Sequence, residues 1–446
     1  MRDVIFHAFN CKYKDIINAV DKIHDAGYGA ILIPPPLYSD KNGDQWWQRY
    51  QPKDYRVLLS HLGGKQELLD LIQKCHETDP KIRVYADIVI NHMANESRAE
   101  PLNFPGEAEL KKYRSDPTFK DNLLYGDLNE GLFSPWDFNQ TGNIQNHEWS
   151  NRDRVIFGSL SDLPDLNDSP WVLLQQRNML VALANMGFDG FRIDAIKHMT
   201  ERMIDNFADC DQIASKYLFG EVLTGSDHDE NIFIDPFIRE TWISAYDFPL
   251  FQTIREAFGV GGSLRRLAHP EAEENALPWH RAVTFVINHD IPYNDGFRTW
   301  LLDRQDEHLA YAYILGKDGG VPLIFSDQNE SVGKHPEDRD RWTKITERPD
   351  IFSMISFHNA VHGEPMAILY ESDTVLVFRR GNMGIVAINK GGTENWVEFN
   401  TWGLKNPGNY TDSIHKHRMK LSGNRFTLYI PPRTAQMWLE EDLHSI

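Results

Sequence analysis

Eight short apolar runs alternate with helical stretches along most of the chain, and this alternation limits the possible folds more than any other feature. The runs lie at 4–10, 30–34, 83–90, 187–194, 218–222, 242–246, 282–288 and 321–325. Helical patterns fall between or after them at 15–26, 65–77, 170–186, 201–208, 251–258, 306–315 and 349–361. In the first helix Ile16, Ile17, Val20 and Ile23 form one stripe, and Gly27 closes it. Strands separated by single helices with short links pair in parallel through right-handed crossovers. Eight such units predict an α/β fold, a (β/α)8 barrel.

Two stretches break the alternation. Residues 93–162 are rich in Asn, Asp, Pro, Gly and aromatics and are too long for a plain loop. They predict a small domain inserted after strand three. From 365 onward, short alternating runs such as 375–379, 384–389 and 425–430 are separated by Gly, Asn and Pro, which predicts an all-β, sandwich-like domain. The expected division is a barrel of 1–92 and 163–364, an insert of 93–162 and a C-terminal domain of 365–446.

In the stretch from Gly187 to His198, Arg192 and Asp194 stand two apart and so share one side of a strand. Other strand ends carry His92, Glu221, His289 and Asp290. Closure of a barrel gathers strand ends around one rim, where active sites of this architecture sit. Several carboxylates on one rim cannot all stay ionised without compensation. Arg192 is expected to hold Asp194 as the anion, leaving Glu221 with its proton. One ionised and one protonated carboxyl is the pairing that a retaining glycosidase uses. Asp290 would bind sugar hydroxyls and favour a cation-like transition state, with His92 and His289 donating to hydroxyls. Asp87 sits mid-strand and is read as structural. His7 and His61 are read the same way.

Taken together, residues 87–92, 187–198, 220–221 and 285–290 resemble, in order and spacing, the signature segments of the α-amylase family of glycoside hydrolases. Leu163-Pro-Asp-Leu-Asn167 resembles a further signature of that family, and Trp46-Trp-Gln-Arg-Tyr-Gln-Pro52 resembles its sugar-stacking loop. The resemblance implies that Asp194 is the nucleophile, Glu221 the acid/base and Asp290 the transition-state stabiliser. It implies that Arg192, His92 and His289 shape the reacting subsite. Tyr50 would stack on the reacting ring, with Trp46, Trp47 and Gln51 along the neighbouring sugars. The polar flanks Asp44, Gln45, Gln48 and Arg49 favour an exposed Trp46–Trp47 platform over core packing. Lys197 and His198 resemble the pair that contacts the leaving-group side in α-1,4-acting members. Asn91, Asp165 and the main-chain carbonyl of His198 are the calcium ligands that the family implies. No chloride site is expected, because the run 321–325 lacks the basic residue found there in chloride-binding members.

The formal net charge of −19 argues against nucleic acid or an anionic membrane as partner and suits a neutral α-glucan, starch or a maltooligosaccharide; adaptation to salt is an alternative origin. The three cysteines, Cys11, Cys75 and Cys210, have no metal or disulfide spacing and are read as buried free thiols. No run is long enough to span a bilayer, and no signal peptide is visible. A polymeric substrate points to an extracellular enzyme and the absent leader to a cytoplasmic one. A monomer is expected. The leading expectation is an endo-acting, retaining α-amylase. An exo-acting maltooligosaccharide-forming enzyme or an α-1,4-glucan transglycosylase shares the same trio. A non-catalytic binding protein on the same barrel is disfavoured, since all three carboxylates are kept.

Overall fold

Strands apolar on both faces must be covered on both faces, and here they are. The computed structural model describes residues 2–39, 43–95 and 102–441. Its barrel strands are β1 (Ile5–Ala8), β2 (Ala30–Ile33), β3 (Arg83–Ile88), β4 (Gly190–Ile193), β5 (Tyr217–Gly220), β6 (Ser244–Tyr246), β7 (Ala282–Phe285) and β8 (Val321–Ser326). They form one closed barrel in which each strand neighbours the next in sequence and β8 returns to β1. Every expected strand is present, but most are shorter than the apolar run. β3 stops at Ile88 and β7 at Phe285, so the polar residues that follow leave the ladder at the barrel mouth.

Local chemistry sets the approach to β4. The helix Pro170–Met186 starts with the Ser169 side chain accepting from the Val172 N–H and with proline in its first turn. It ends at Gly187, whose φ of +111° only glycine adopts without strain. At Gly190, on β4, a Cβ would sit 2.4 Å from the Tyr217 carbonyl oxygen, so the sheet closes there only around glycine.

The chain falls into two compact units: His7–Asp21 with Ala30–Tyr246, and Met1–Phe6 with Lys22–Gly29 and Asp247–Ile446. In the first unit, the segment read as an insert carries the short helices Glu107–Ser115, Pro117–Asp121 and Arg152–Phe157. Leu110, Tyr113 and Phe119 pack with Tyr38 and Val57 into a small core of their own. Residues 96–101 of that segment lie outside the described residues. The hairpin Leu59–Ser60 with Gly63–Gly64 and the π-helical turn Glu230–Ile234 have no counterpart in the sequence reading.

In the second unit, a six-stranded antiparallel sheet runs in the order Met366–Glu371, Val375–Arg380, Gly384–Asn389, Thr434–Glu440, Gly408–Asp412, Arg418–Leu421. A two-stranded sheet, Asn395–Asn400 with Arg425–Ile430, is separate from it. Val377, Ile385 and Ala387 of the larger sheet form one core with Val397, Phe399 and Leu428 of the smaller, as a sandwich requires. Arg380 is buried and donates to the carbonyls of Gly316, Lys317, Val361 and Glu364 at 2.6–3.0 Å. It thereby satisfies the open C-terminal carbonyls of the helices Arg304–Gly316 and Pro349–Ala360. Cys11 and Cys75 are buried thiols, whereas Cys210 is only half-buried, a correction to the reading of three buried thiols. Among the described residues no helix is long and apolar enough to cross a membrane.

Candidate active site

One guanidinium organises the mouth of the barrel in the first unit. Arg192 is fully buried on β4, and its register sets it directly beside Asp87 of β3. Its Nη1 donates to Asp87 Oδ1 and to Asp194 Oδ1, both at 2.7 Å. Its Nη2 lies 2.8 Å from Glu221 Oε2. The main chain extends the ladder one step past each strand: Asp194 N–H donates to Ile88 O at 2.9 Å, and Glu221 N–H to Ile193 O at 3.0 Å. Ala195 then turns into the left-handed region at φ +48°, and its N–H donates to Glu221 Oε2 at 3.1 Å. Such backbone is sparsely populated by residues with a side chain and is typical of functional sites.

Three carboxylates therefore share one cation. The sequence reading expects Arg192 to hold Asp194 as the anion and to leave Glu221 its proton; here Arg192 is shared by Asp194, Glu221 and Asp87. Burial pushes the Asp194 carboxyl well above its usual range; Arg192 opposes this, and the neighbouring Glu221 and Asp87 add to it. Asp87 is raised for the same first reason, burial. Arg192 is itself held firmly as the cation: burial works against its charge, but Asp87, Glu221 and Asp194 outweigh burial. A cluster of this kind retains a proton that belongs to the group of carboxyls rather than to one of them.

Two aromatic rings flank the arginine, Tyr50 with its centre 5.9 Å from the guanidinium carbon and Tyr246 at 5.8 Å. The Tyr50 hydroxyl donates to Asp87 Oδ2 at 2.9 Å, so this ring is fixed by the cluster. His92 Nε2 lies 3.0 Å from the Tyr50 carbonyl oxygen, and burial lowers the imidazole to about 4, which keeps it neutral. His7, read as structural, is also buried; burial and then Arg192 lower it to about 3.

The tryptophans of the Trp46–Tyr50 3-10 helix part company. Trp47 is 43% exposed, but the Trp46 ring packs 5.6 Å from Phe9 and 5.9 Å from Tyr50. The expected exposed pair is thus one exposed ring and one packed ring, because a 3-10 turn sends consecutive side chains to different sides. Gln51 follows the helix half-buried.

Lys197 Nζ donates to the Leu223 carbonyl at 2.8 Å and faces the rings of Trp149 and Phe233 at 5.6 and 5.2 Å. Burial lowers it to about 8. His198 Nδ1 lies 2.9 Å from Val155 O, and its ring meets Trp149 edge-on at 6.0 Å. Burial, then Lys197, lowers His198 to about 3.

Asn91 and Asp165 come together as the sequence reading expects. Asn91 Nδ2 donates to Asp165 Oδ1 at 3.2 Å, and Asn139 Nδ2 to Asp165 Oδ2 at 2.8 Å. Among the described residues no base pairs with Asp165, and burial raises its carboxyl to about 8. Asn91 Oδ1 is buried with no hydrogen-bond partner among the described residues. An uncompensated carboxylate beside an orphaned amide oxygen suits a hard cation that takes oxygen ligands. Among the described residues no three acidic, histidine or cysteine side chains are placed to hold a metal ion together, so amide and main-chain oxygens would have to complete such a shell.

Asp290 and His289 belong to the second unit. Asp290 opens the short helix Asp290–Tyr293, and His289 Nε2 lies 3.3 Å from Asp290 Oδ1. The segment after it is anchored. The Tyr293 hydroxyl donates to Asp327, and Arg298 donates to Pro292 O at 2.7 Å and Asp338 Oδ2 at 2.8 Å.

Sequence reasoning missed Tyr246, Trp149, Phe233 and Asn139, and underrated Asp87. Only the last had a signal: an acid inside an otherwise apolar strand run, 83–90.

Known proteins resemble this chain in sequence and in fold. The family model described as the alpha amylase catalytic domain matches residues 12–221, and that of the alpha amylase C-terminal all-beta domain matches 370–441. An α-amylase of Aeromonas hydrophila is 44% identical over 425 residues, covering 92% of this chain and 90% of its own. An α-amylase of Thermomonospora curvata is 28% identical over 477 residues, covering 97% and 73%. Among solved structures, α-amylase I of Eisenia fetida superposes with a TM-score of 0.74 at 22% identity, covering 98% of this chain and 95% of that one. A three-domain cyclomaltodextrin glucanotransferase gives 0.71 at 22%, covering 98% and 99%. At that identity the two structures speak for the fold; the sequence matches speak for the family. The chain belongs to the α-amylase family of glycoside hydrolases.

Proposed function

We propose that the enzyme hydrolyses internal α-1,4-glucosidic bonds of starch and maltooligosaccharides with retention of configuration. The observation that carries this reading is the bridging of Asp194 and Glu221 by adjacent nitrogens of Arg192. Carboxylates held by one planar guanidinium are close neighbours, which favours the ~5 Å separation of a retaining pair. Asp194 attacks the anomeric carbon while Glu221 gives its proton to the glycosidic oxygen; the C–O bond to the leaving sugar breaks and an ester to Asp194 forms. Glu221 then takes a proton from water, whose oxygen displaces Asp194. Asp290 is assigned to stabilising the positive charge that develops on the ring. His92 and His289 would bind hydroxyls of the reacting sugar. Trp47, with Gln51 and the ring edges of Trp46 and Tyr50, would line the non-reducing side, and Lys197 with His198 the leaving-group side.

Calcium would be held by Asn91 Oδ1, the Asp165 carboxylate and the His198 main-chain carbonyl, and would fix the end of β3 to the segment around Asp165. Its role would be structural. Thorough chelation is expected to lower the melting temperature by several degrees, with recovery on adding Ca2+; an unchanged melt would remove calcium from the description. The reaction itself is tested with a long maltooligosaccharide blocked at its non-reducing end. Cleavage to internal fragments, with α-anomeric products by NMR, is the expected result. Failure on the blocked substrate alone would make the enzyme exo-acting, and products longer than the substrate would make it a transglycosylase.

A further inference from the structure

The two-stranded sheet of the second unit has one buried and one open face. Val397, Phe399, Leu428 and Ile430 point into the sandwich core. The alternate positions face solvent as three cross-strand pairs in register: Trp396 with Tyr429, Glu398 with Thr427, and Asn400 with Arg425. Trp396 is 67% exposed and Tyr429 38% exposed, with ring centres 4.8 Å apart and a 48° tilt between the planes. A single exposed aromatic residue is ordinary. Here two are paired across the strands and fixed. The Tyr429 hydroxyl donates to Glu394 Oε2 at 3.0 Å, and Arg425 Nη1 donates diagonally across the next two rungs to Glu398 Oε1 at 2.6 Å.

The chemistry of this face selects its occupant. The pair offers flat, electron-rich surfaces that attract weakly positive C–H groups. Beside the rings lie a carboxylate, a hydroxyl, an amide and a guanidinium, able to accept from and donate to hydroxyls. The one cation on the ribbon, Arg425, is balanced by Glu398, and Glu394 adds a carboxylate beside the rings, so no cation is left over for a polyanion, which a chain of net charge −19 also disfavours. An uncharged ligand with alternating C–H faces and hydroxyl edges meets these terms, and a glucan chain is such a ligand. We propose that the ribbon centred on Trp396 and Tyr429 is a second, non-catalytic α-glucan-binding site. This rests on the proposed activity, which makes the same polymer the substrate. A polymer engaged at both sites is retained by effective concentration, whereas a short oligosaccharide gains nothing from the second.

The test uses the full-length protein in the Asp194→Asn background, so that cleavage does not erase binding, and measures retardation in native gels containing amylopectin. Trp396→Ala with Tyr429→Ala is expected to weaken retention about tenfold, the scale for removing aromatic anchors. Trp396→Tyr, which keeps a ring, is expected to restore most of it. With Asp194 intact, kcat/KM on a short chromogenic maltooligosaccharide and the melting temperature stay as in the parent. Equal retardation of parent and double variant overturns the site. So does a concentration-dependent dimer that the double variant abolishes while retention persists, since a second copy is then the occupant. If the parent cleaves no α-glucan yet is retarded through Trp396, the proposed activity falls and the site stands.

Discussion

The two ends of β4 each carry an aspartate, and the two are held in opposite ways. Asp189, just before the strand, receives Lys81 Nζ at 2.7 Å, His76 Nε2 at 2.8 Å and the Val84 N–H at 2.9 Å. Burial pushes its carboxyl up, but these three bonds outweigh burial and hold it below the usual range. Asp194, just after the strand, shares one arginine with Asp87 and Glu221 and is pushed well above that range, by burial first. At the lower end several donors serve one carboxylate; at the upper end several carboxylates compete for one cation. The first arrangement secures the strand. The second keeps carboxyl groups ready to gain or lose a proton, at the face of a barrel where active sites sit.

The sharpest way to break this comparison is to neutralise the upper aspartate. Asp194→Asn is expected to lower kcat by at least about 10^4-fold, the loss typical of a residue that acts as part of a catalytic unit. It should also leave the protein at least as stable as the parent, with a gain of about 0.5–2 kcal/mol, because competition for Arg192 is relieved. The sign follows from linkage. The folded pKa of Asp194 is raised, so the folded state binds more protons than the unfolded one just above pH ~4, and parent stability falls as pH rises there. The gain in Asp194→Asn should therefore grow from pH 4 to pH 7. Urea denaturation across that range reads it directly, and a variant less stable than the parent at pH 7 would break the comparison.

Asp189→Asn tests the other end. Activity per folded molecule should stay within about twofold of the parent. Stability at pH 7 should fall by about 1–3 kcal/mol, nearer the lower figure because Lys81 is half-exposed and its charge is screened. Here the folded pKa is depressed, so the parent's advantage is present above the unfolded value of ~4 and is lost as pH falls through the lower folded value. The deficit of Asp189→Asn should therefore shrink towards acid pH. The two aspartate variants thus give stability differences of opposite sign, and both differences fade on acidification. Parallel curves would mean that the two ends are held alike.

Much of this contrast is legible in the sequence, and the part that is not has a physical cause. Strand periodicity alone puts Arg192 and Asp194 on one side, and apolar runs ending in polar residues mark His92, Glu221 and Asp290. The sharing of Arg192 by three carboxylates is not legible, because it depends on the Asp87–Arg192 register and on the left-handed turn at Ala195. Sequence spacing within one strand carries no information on the register of the next. For the same reason the donors to Asp189 come from a helix and a strand of the preceding unit, His76 and Val84, which only the folded barrel brings to it. The separation of Trp46 from Trp47 was hidden by a 3-10 turn, to which a search for helical or strand periods is blind.

The smallest expected effect isolates one bond in the crowded end. The Tyr50 hydroxyl is a neutral donor on the cluster's outer carboxylate: it reaches Asp87 Oδ2, while Arg192 takes Asp87 Oδ1. Tyr50→Phe keeps the ring beside the guanidinium and removes that donor. Asp87 then competes harder for Arg192, at the expense of Asp194 and Glu221. A neutral hydrogen bond is worth about 0.5–1.5 kcal/mol, so kcat should fall about twofold to tenfold. Because the ring remains, KM for a maltooligosaccharide should change little. Steady-state kinetics separates the two constants. A rise in KM with kcat unchanged would show that Tyr50 serves the sugar and not the carboxylates, and the account of the upper end would lose its link through Asp87.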